Sequence, residues 1–232
     1  MKPTDKSFGN SVAARRRAFT LTELLVVISI MGILAGFTIP VLKMVKRWQY
    51  LKTARAEFEP IETALENYKA KYNSYPPGNG ANTIQSGLTN QLYYELSGTI
   101  NNGTSYVTLD GSSTIGSGNF TNAFNVGGIL NCTKGGGEDD IKAKNFLSSL
   151  KRGQIGTATF NGVAVTNLVV SVHGPDAAYK PVGIQDMNPF RYVYPGVNNP
   201  GSYDLWVQLV INGQTNLLCN WSRQVQINSS LP

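Results

Sequence analysis

RRRAFTLTELLVVISIMGILAGFTIPVL, residues 15–42, is the stretch from which the rest of the chain is read. Three arginines precede an apolar run from Phe19 to Ile39, 21 residues with one charge, Glu23. At about 1.5 Å per residue the run makes about 31 Å of helix, the thickness of a bilayer's hydrocarbon core. Lipid offers the backbone no hydrogen-bond partners, so the spanning form is a helix. A carboxylate inside such a run costs about 2.5 kcal/mol or more, which predicts a partner for Glu23. The plainer alternative is an anchor whose acid is favoured by the positive end of the helix dipole.

Two other targeting signals fit less well. A secretory signal has an apolar core of about 7–15 residues and a small-residue cleavage site after it. This core is longer, carries an acid and runs into Pro40-Val41-Leu42-Lys43 without such a site. Arg16-Arg17 also invites a twin-arginine reading, with the same missing site. The net charge is +6, but residues 1–18 hold Lys2, Lys6, Arg15, Arg16 and Arg17 against Asp5, so +2 remains beyond them. The basic excess therefore orients the first helix, keeping its start cytoplasmic, and leaves no surface for nucleic acid.

The helical pattern continues past the bilayer. Apolar and aromatic residues recur at Val41, Met44, Trp48, Leu51, Ala54, Phe58, Ile61, Leu65, Tyr68, Tyr72 and Tyr75, with charges opposite. Pro40 and Pro60 are expected to kink this helix rather than divide it. Asn73-Ser74 before Pro76-Pro77-Gly78 ends it. From Gly78 to Gly137 the chain turns to Asn, Gly, Ser and Thr and is expected to be mostly long polar loop. Within it, Asn90–Leu96 reads as a short helix and Tyr106–Leu109 as a strand. Glu138, Asp139 and Asp140 are consecutive rather than spaced for calcium, and are expected to cap a helix through Ile141–Leu150.

Asn161-Gly162 and Asn212-Gly213 mark two hairpins, the second joining Leu205–Ile211 to Gln214–Cys219. His173 is the one histidine, and Ser171, His173 and Asp176 as sequence neighbours do not make a triad. No P-loop, dinucleotide fingerprint, CxxC or HExxH occurs, so no catalytic residue is assigned. Cys132 and Cys219 leave two readings open, a disulfide or two buried free thiols.

Ala18-Phe19-Thr20-Leu21-Thr22-Glu23 resembles the processing site of type IV pilins and type II secretion pseudopilins. The resemblance implies that a prepilin peptidase cuts between Ala18 and Phe19 and that Phe19 is then N-methylated. It also implies that Glu23 guides each subunit into a filament. Gly32 and Pro40 stand where helices of that family carry Gly and Pro, whereas Ala18 departs from the usual Gly before the cut. Cleavage would create a Phe19 ammonium with pKa near 7.7–8, which an axially shifted neighbour brings to Glu23. Asn188-Pro189-Phe190-Arg191-Tyr192-Val193-Tyr194-Pro195-Gly196 with Tyr203-Asp204 resembles in part the C-terminal block of the major pseudopilin. That family often binds calcium after the Tyr-Asp step, but no acid follows Asp204, so no calcium or other cofactor is carried over.

The sequence thus predicts an α+β protein: leader 1–18, transmembrane helix 19–40, amphipathic helix 41–75 and a β-rich periplasmic head 76–232, its small antiparallel sheet packed on the helix. The implied function is a structural subunit of a type II secretion pseudopilus. It would be anchored in the bacterial inner membrane and assemble with copies of itself, other pseudopilins and an inner-membrane assembly platform. The alternatives are a type IV pilus pilin and an anchored periplasmic binding module that never assembles.

Overall fold

The computed structural model describes residues 19–79, 88–134, 142–147, 150–151, 153–172, 176 and 178–228. The leader, His173 and the acids 138–140 lie outside them. The chain divides into two units, Met1–Lys46 and Arg47–Pro232. Helix α1 (Leu21–Tyr72) runs through Pro40 and Pro60, so neither proline divides it. It stops where Asn73 takes a left-handed conformation (φ 55°) and its N–H donates to Lys69 O at 2.7 Å. Asn is one of the few non-glycine residues that adopt this cap readily.

In the second unit α1 buries Ala54, Phe58, Ile61, Ala64, Leu65 and Tyr68, at the spacing of one helical face. They join a single core with Leu205, Val207, Leu209 and Leu218, and Phe58 meets Phe190 at 6.0 Å. The apolar stripe expected from Val41 is buried later than predicted: Val41, Met44 and Trp48 are exposed, and Leu51 is half-buried. Two arginines tie the helix to the sheet. Arg47 donates through Nε and Nη2 to Asn216 Oδ1 at 3.1 and 2.8 Å, and Arg55 donates to Arg223 O at 2.8 Å.

Among the described residues the head holds two four-stranded sheets and a hairpin. The first, ordered β3-β2-β1-β4, is built from β1 (Thr99–Asn101), β2 (Ser105–Thr108), β3 (Thr114–Gly116) and β4 (Cys132–Lys134). Its β1–β4 pair is parallel, a departure from the antiparallel sheet expected. The second, ordered β10-β9-β8-β7, is antiparallel and comprises β7 (Arg191–Val193), β8 (Asp204–Ile211), β9 (Gln214–Cys219) and β10 (Ser222–Ile227). β5 (Ile155–Phe160) and β6 (Val163–Leu168) form the hairpin. Both Asn-Gly turns fall where read, with Asn161 and Asn212 at φ 49° and 53°.

Two local expectations are corrected. The polar tract after Gly78 is not mainly loop: it forms α2 (Leu92–Ser97), β1–β3, α3 (Ser117–Phe124) and β4. Its strands are short, and aromatic packing of Tyr94, Tyr106, Phe120 and Phe124 supplies their core. Second, 142–147 is not helical. Its backbone is claimed elsewhere: Thr133 Oγ1 takes Ala143 N–H, Asn131 bonds Lys144 N and O, and Leu96 O takes Phe146 N–H.

The same asparagine completes a buried network around Glu95, which is fully buried on α2. The Glu95 carboxyl accepts from Tyr68 Oη at 2.8 Å, Leu130 N at 2.9 Å and Asn131 N at 3.0 Å. Burial raises the Glu95 pKa against these donors, and burial with the nearby Glu95 charge pushes Tyr72 up to about 12. A raised carboxyl pKa contributes stability that is complete below its unfolded value of about 4.3 and is lost as pH rises through the folded value. Urea unfolding across that window is expected to show this slope in the native chain and its loss in Glu95→Gln. Phe58→Ala is expected to lower stability by about 3–5 kcal/mol in the same assay.

Candidate functional site: the start of the apolar helix

In the first unit Glu23, the acid singled out by sequence, meets Thr20 at the start of α1. Thr20 precedes the first helical residue, and its Oγ1 accepts Glu23 N–H at 3.2 Å. Glu23 reaches back, and its Oε2 accepts Thr20 N–H at 2.9 Å and Thr20 Oγ1–H at 2.8 Å. This reciprocal arrangement is a capping box, and it satisfies two backbone donors that helix geometry leaves without partners. The T-x-x-E spacing before an apolar run is its sequence signal, and the reading from charge alone passed over it. Glu23 therefore has hydrogen bonds within its own chain, although neither partner carries a countercharge.

The rest of the segment is apolar on every side. Leu24, Leu25, Ile28, Met31, Ile33, Leu34 and Phe37 are all exposed, and the helix is long and apolar enough to cross a membrane. Two hydroxyls deeper in the run are satisfied internally: Ser29 Oγ donates to Leu25 O at 2.7 Å and Thr38 Oγ1 to Leu34 O at 2.8 Å. Bonding back to the preceding turn leaves neither of these two hydroxyls as an unpaired donor in lipid. Gly32 and Gly36 form a G-x-x-x-G step, and a Cβ at either would meet nothing within 4 Å. The fold of the single chain thus does not require their smallness. Close approach of a second helix does. Phe19 is exposed ahead of the helix, and Ala18 lies outside the described residues.

In the head, Cys132 and Cys219 take the second of the two readings left open, buried free thiols. Cys132 belongs to β4 and the main core, whereas Cys219 belongs to β9 and a separate cluster with Trp206. Asp204, 1% exposed, spends its carboxylate on its own loop. Oδ2 accepts from Val197 N, Asn198 N and Asn198 Nδ2 at 2.7–3.0 Å, and Oδ1 accepts from Asn199 N at 3.0 Å. Among the described residues no three His, Cys, Asp or Glu side chains gather as metal ligands would.

Comparison with known proteins places this segment. Residues 13–39 match the family model described as the prokaryotic N-terminal methylation motif. The matched segment is the one that begins with the Arg15–Arg17 triplet and holds Phe19, Glu23 and the apolar run. Over 70 residues it is 40% identical to the type II secretion system core protein G of Pectobacterium carotovorum subsp. carotovorum. The match covers 30% of this chain and 44% of that protein, so the chain spans less than half of the relative's length. No solved structure matches.

If Thr20 caps the helix, Thr20→Ala costs about 1 kcal/mol at its start. Backbone amides of the first turn are then expected to exchange hydrogen about fivefold faster in detergent, with Thr20→Ser close to the native rate.

Proposed function

We propose that this chain is a structural, non-enzymatic subunit of a type II secretion pseudopilus, cut by a prepilin peptidase between Ala18 and Phe19 and N-methylated on Phe19. The observation that carries this reading is the methylation-motif match over 13–39, together with 40% identity over 70 residues to a secretion-system core protein. A type IV pilus pilin would share the amino-terminal segment, and the named relative favours the secretion assembly.

Before cleavage, Arg15–Arg17 hold the leader on the cytoplasmic side and the apolar helix rests in the inner membrane, with the head in the periplasm. The capping box gives the Glu23 carboxylate donors, so the precursor is tolerated in lipid without a countercharge. Cleavage adds an ammonium at Phe19. A neighbour displaced along the filament axis brings its own ammonium to Glu23, and opposite charges attract strongly in low dielectric. Helix–helix contact replaces lipid contact, and Gly32 and Gly36 allow close backbone approach. The exposed Val41, Met44 and Trp48 suit the same neighbours rather than the head core. Extraction from the bilayer falls to an inner-membrane assembly platform, working with other pseudopilins.

Mass spectrometry of the protein recovered from membranes tests the processing step. The expected product begins at Phe19 and carries one methyl group, and Ala18→Gly is processed at least as fast. An intact Met1, or a cut beyond Pro40, contradicts the proposal.

A further inference from the structure

The outer face of the second sheet holds a cation for which the described residues supply no countercharge. Arg191 on β7 is 5% exposed. Its Nη2 donates to the Tyr179 hydroxyl at 2.8 Å, while Nη1 is buried and has no hydrogen-bond partner among the described residues. Directly across the strand pair stands Trp206 on β8, 2% exposed, and its Nε1–H is also buried without an acceptor. Residues opposite one another in an antiparallel pair share a face. This face is not the one that packs on α1: Leu205, Val207 and Leu209 alternate with Trp206 and enter the main core, whereas Trp206 packs with Val193, Leu217, Cys219 and Trp221. The Trp206 and Trp221 rings meet edge-on at 5.8 Å.

Buried guanidinium groups are strongly penalised when unpaired, and buried indole N–H groups ordinarily find an acceptor. Here two unused N–H donors, one of them charged, are buried on residues that stand opposite one another across the strand pair. A water would accept from both but would leave the charge uncompensated. A small anion meets both requirements, because donors and positive charge are what it needs.

We propose that the head binds one small monovalent inorganic anion, such as chloride, at Arg191 Nη1 and Trp206 Nε1. The ion is enclosed, so it acts as a structural part of the sheet and exchanges slowly. It braces edge strand β7 against β8 without the carboxylate that usually pairs with a buried arginine.

Thermal unfolding of the full chain in detergent, in sodium chloride against sodium gluconate at equal ionic strength, reads the site. The native protein is expected to melt several degrees higher in chloride, and the gain should saturate with concentration. Arg191→Met is expected to abolish the difference, and Trp206→Phe to raise the half-saturating chloride concentration about tenfold. Bromide anomalous diffraction on the unsubstituted protein needs no variant, and a peak within hydrogen-bonding reach of both nitrogens is expected. Equal melting in the two salts, or no anomalous peak, overturns the proposal and leaves a buried water only.

Discussion

A carboxylate set into a membrane-length apolar helix is the constraint on which the rest of this molecule turns. Glu23 meets it in its own chain through Thr20, whose N–H and hydroxyl both donate to one carboxylate oxygen. The arrangement supplies hydrogen bonds without neutralising the charge. It is a tolerable state for an apolar span in lipid and an incomplete one, because the charge itself is left without a counterion. The internally bonded hydroxyls of Ser29 and Thr38 follow the same logic, because they need nothing from lipid or from a neighbour. Glu23 is thus the position in the span where charge, rather than shape, remains to be satisfied.

The second unit solves a different problem with the same helix. Phe58, Leu65 and Tyr68 enter a core shared with both sheets, so from Ala54 onward α1 is a core element of a folded head. Polar contacts fix its placement there: Arg47 and Arg55 reach β9 and β10, and Glu95 gathers donors from α1 and the loop before β4. Asp204 performs a similar service for the loop that precedes β8, since four N–H groups converge on its carboxylate. The head therefore relies on buried carboxylates bonded to backbone amides, and its two cysteines stay free.

Strong periodicity and turn chemistry were legible in the sequence: the long helix, its end at Asn73, the short helix α2 and both Asn-Gly hairpins. What escaped notice depended on side chains taking the place of backbone partners. Asn131 and Thr133 draw 142–147 away from a helix, and nothing in the local pattern of that segment announces their reach. The strands of the first sheet are three or four residues long and rich in Thr, Ser and Asn, so they carry little alternation to read. In the candidate site, Glu23 stood out by its charge. The capping box and the Gly32–Gly36 step are present in the sequence as spacings, but T-x-x-E and G-x-x-x-G acquire meaning only once a helix start and an open helix face are in place. The free thiols turn on tertiary placement, which the sequence leaves open.

The account's central claim is that Glu23 supplies charge to another copy of the chain, beyond its local role as a cap. Glu23→Gln separates the two, because glutamine at this position still supports a capping box but carries no charge. Crosslinked multimers in membranes and sheared filament fractions would be measured for the native chain, Glu23→Gln and Glu23→Ala. The account predicts that both variants insert normally and that both fail to enter filaments. Filaments of native yield from Glu23→Gln would contradict it, and would reduce Glu23 to the cap of an anchoring helix.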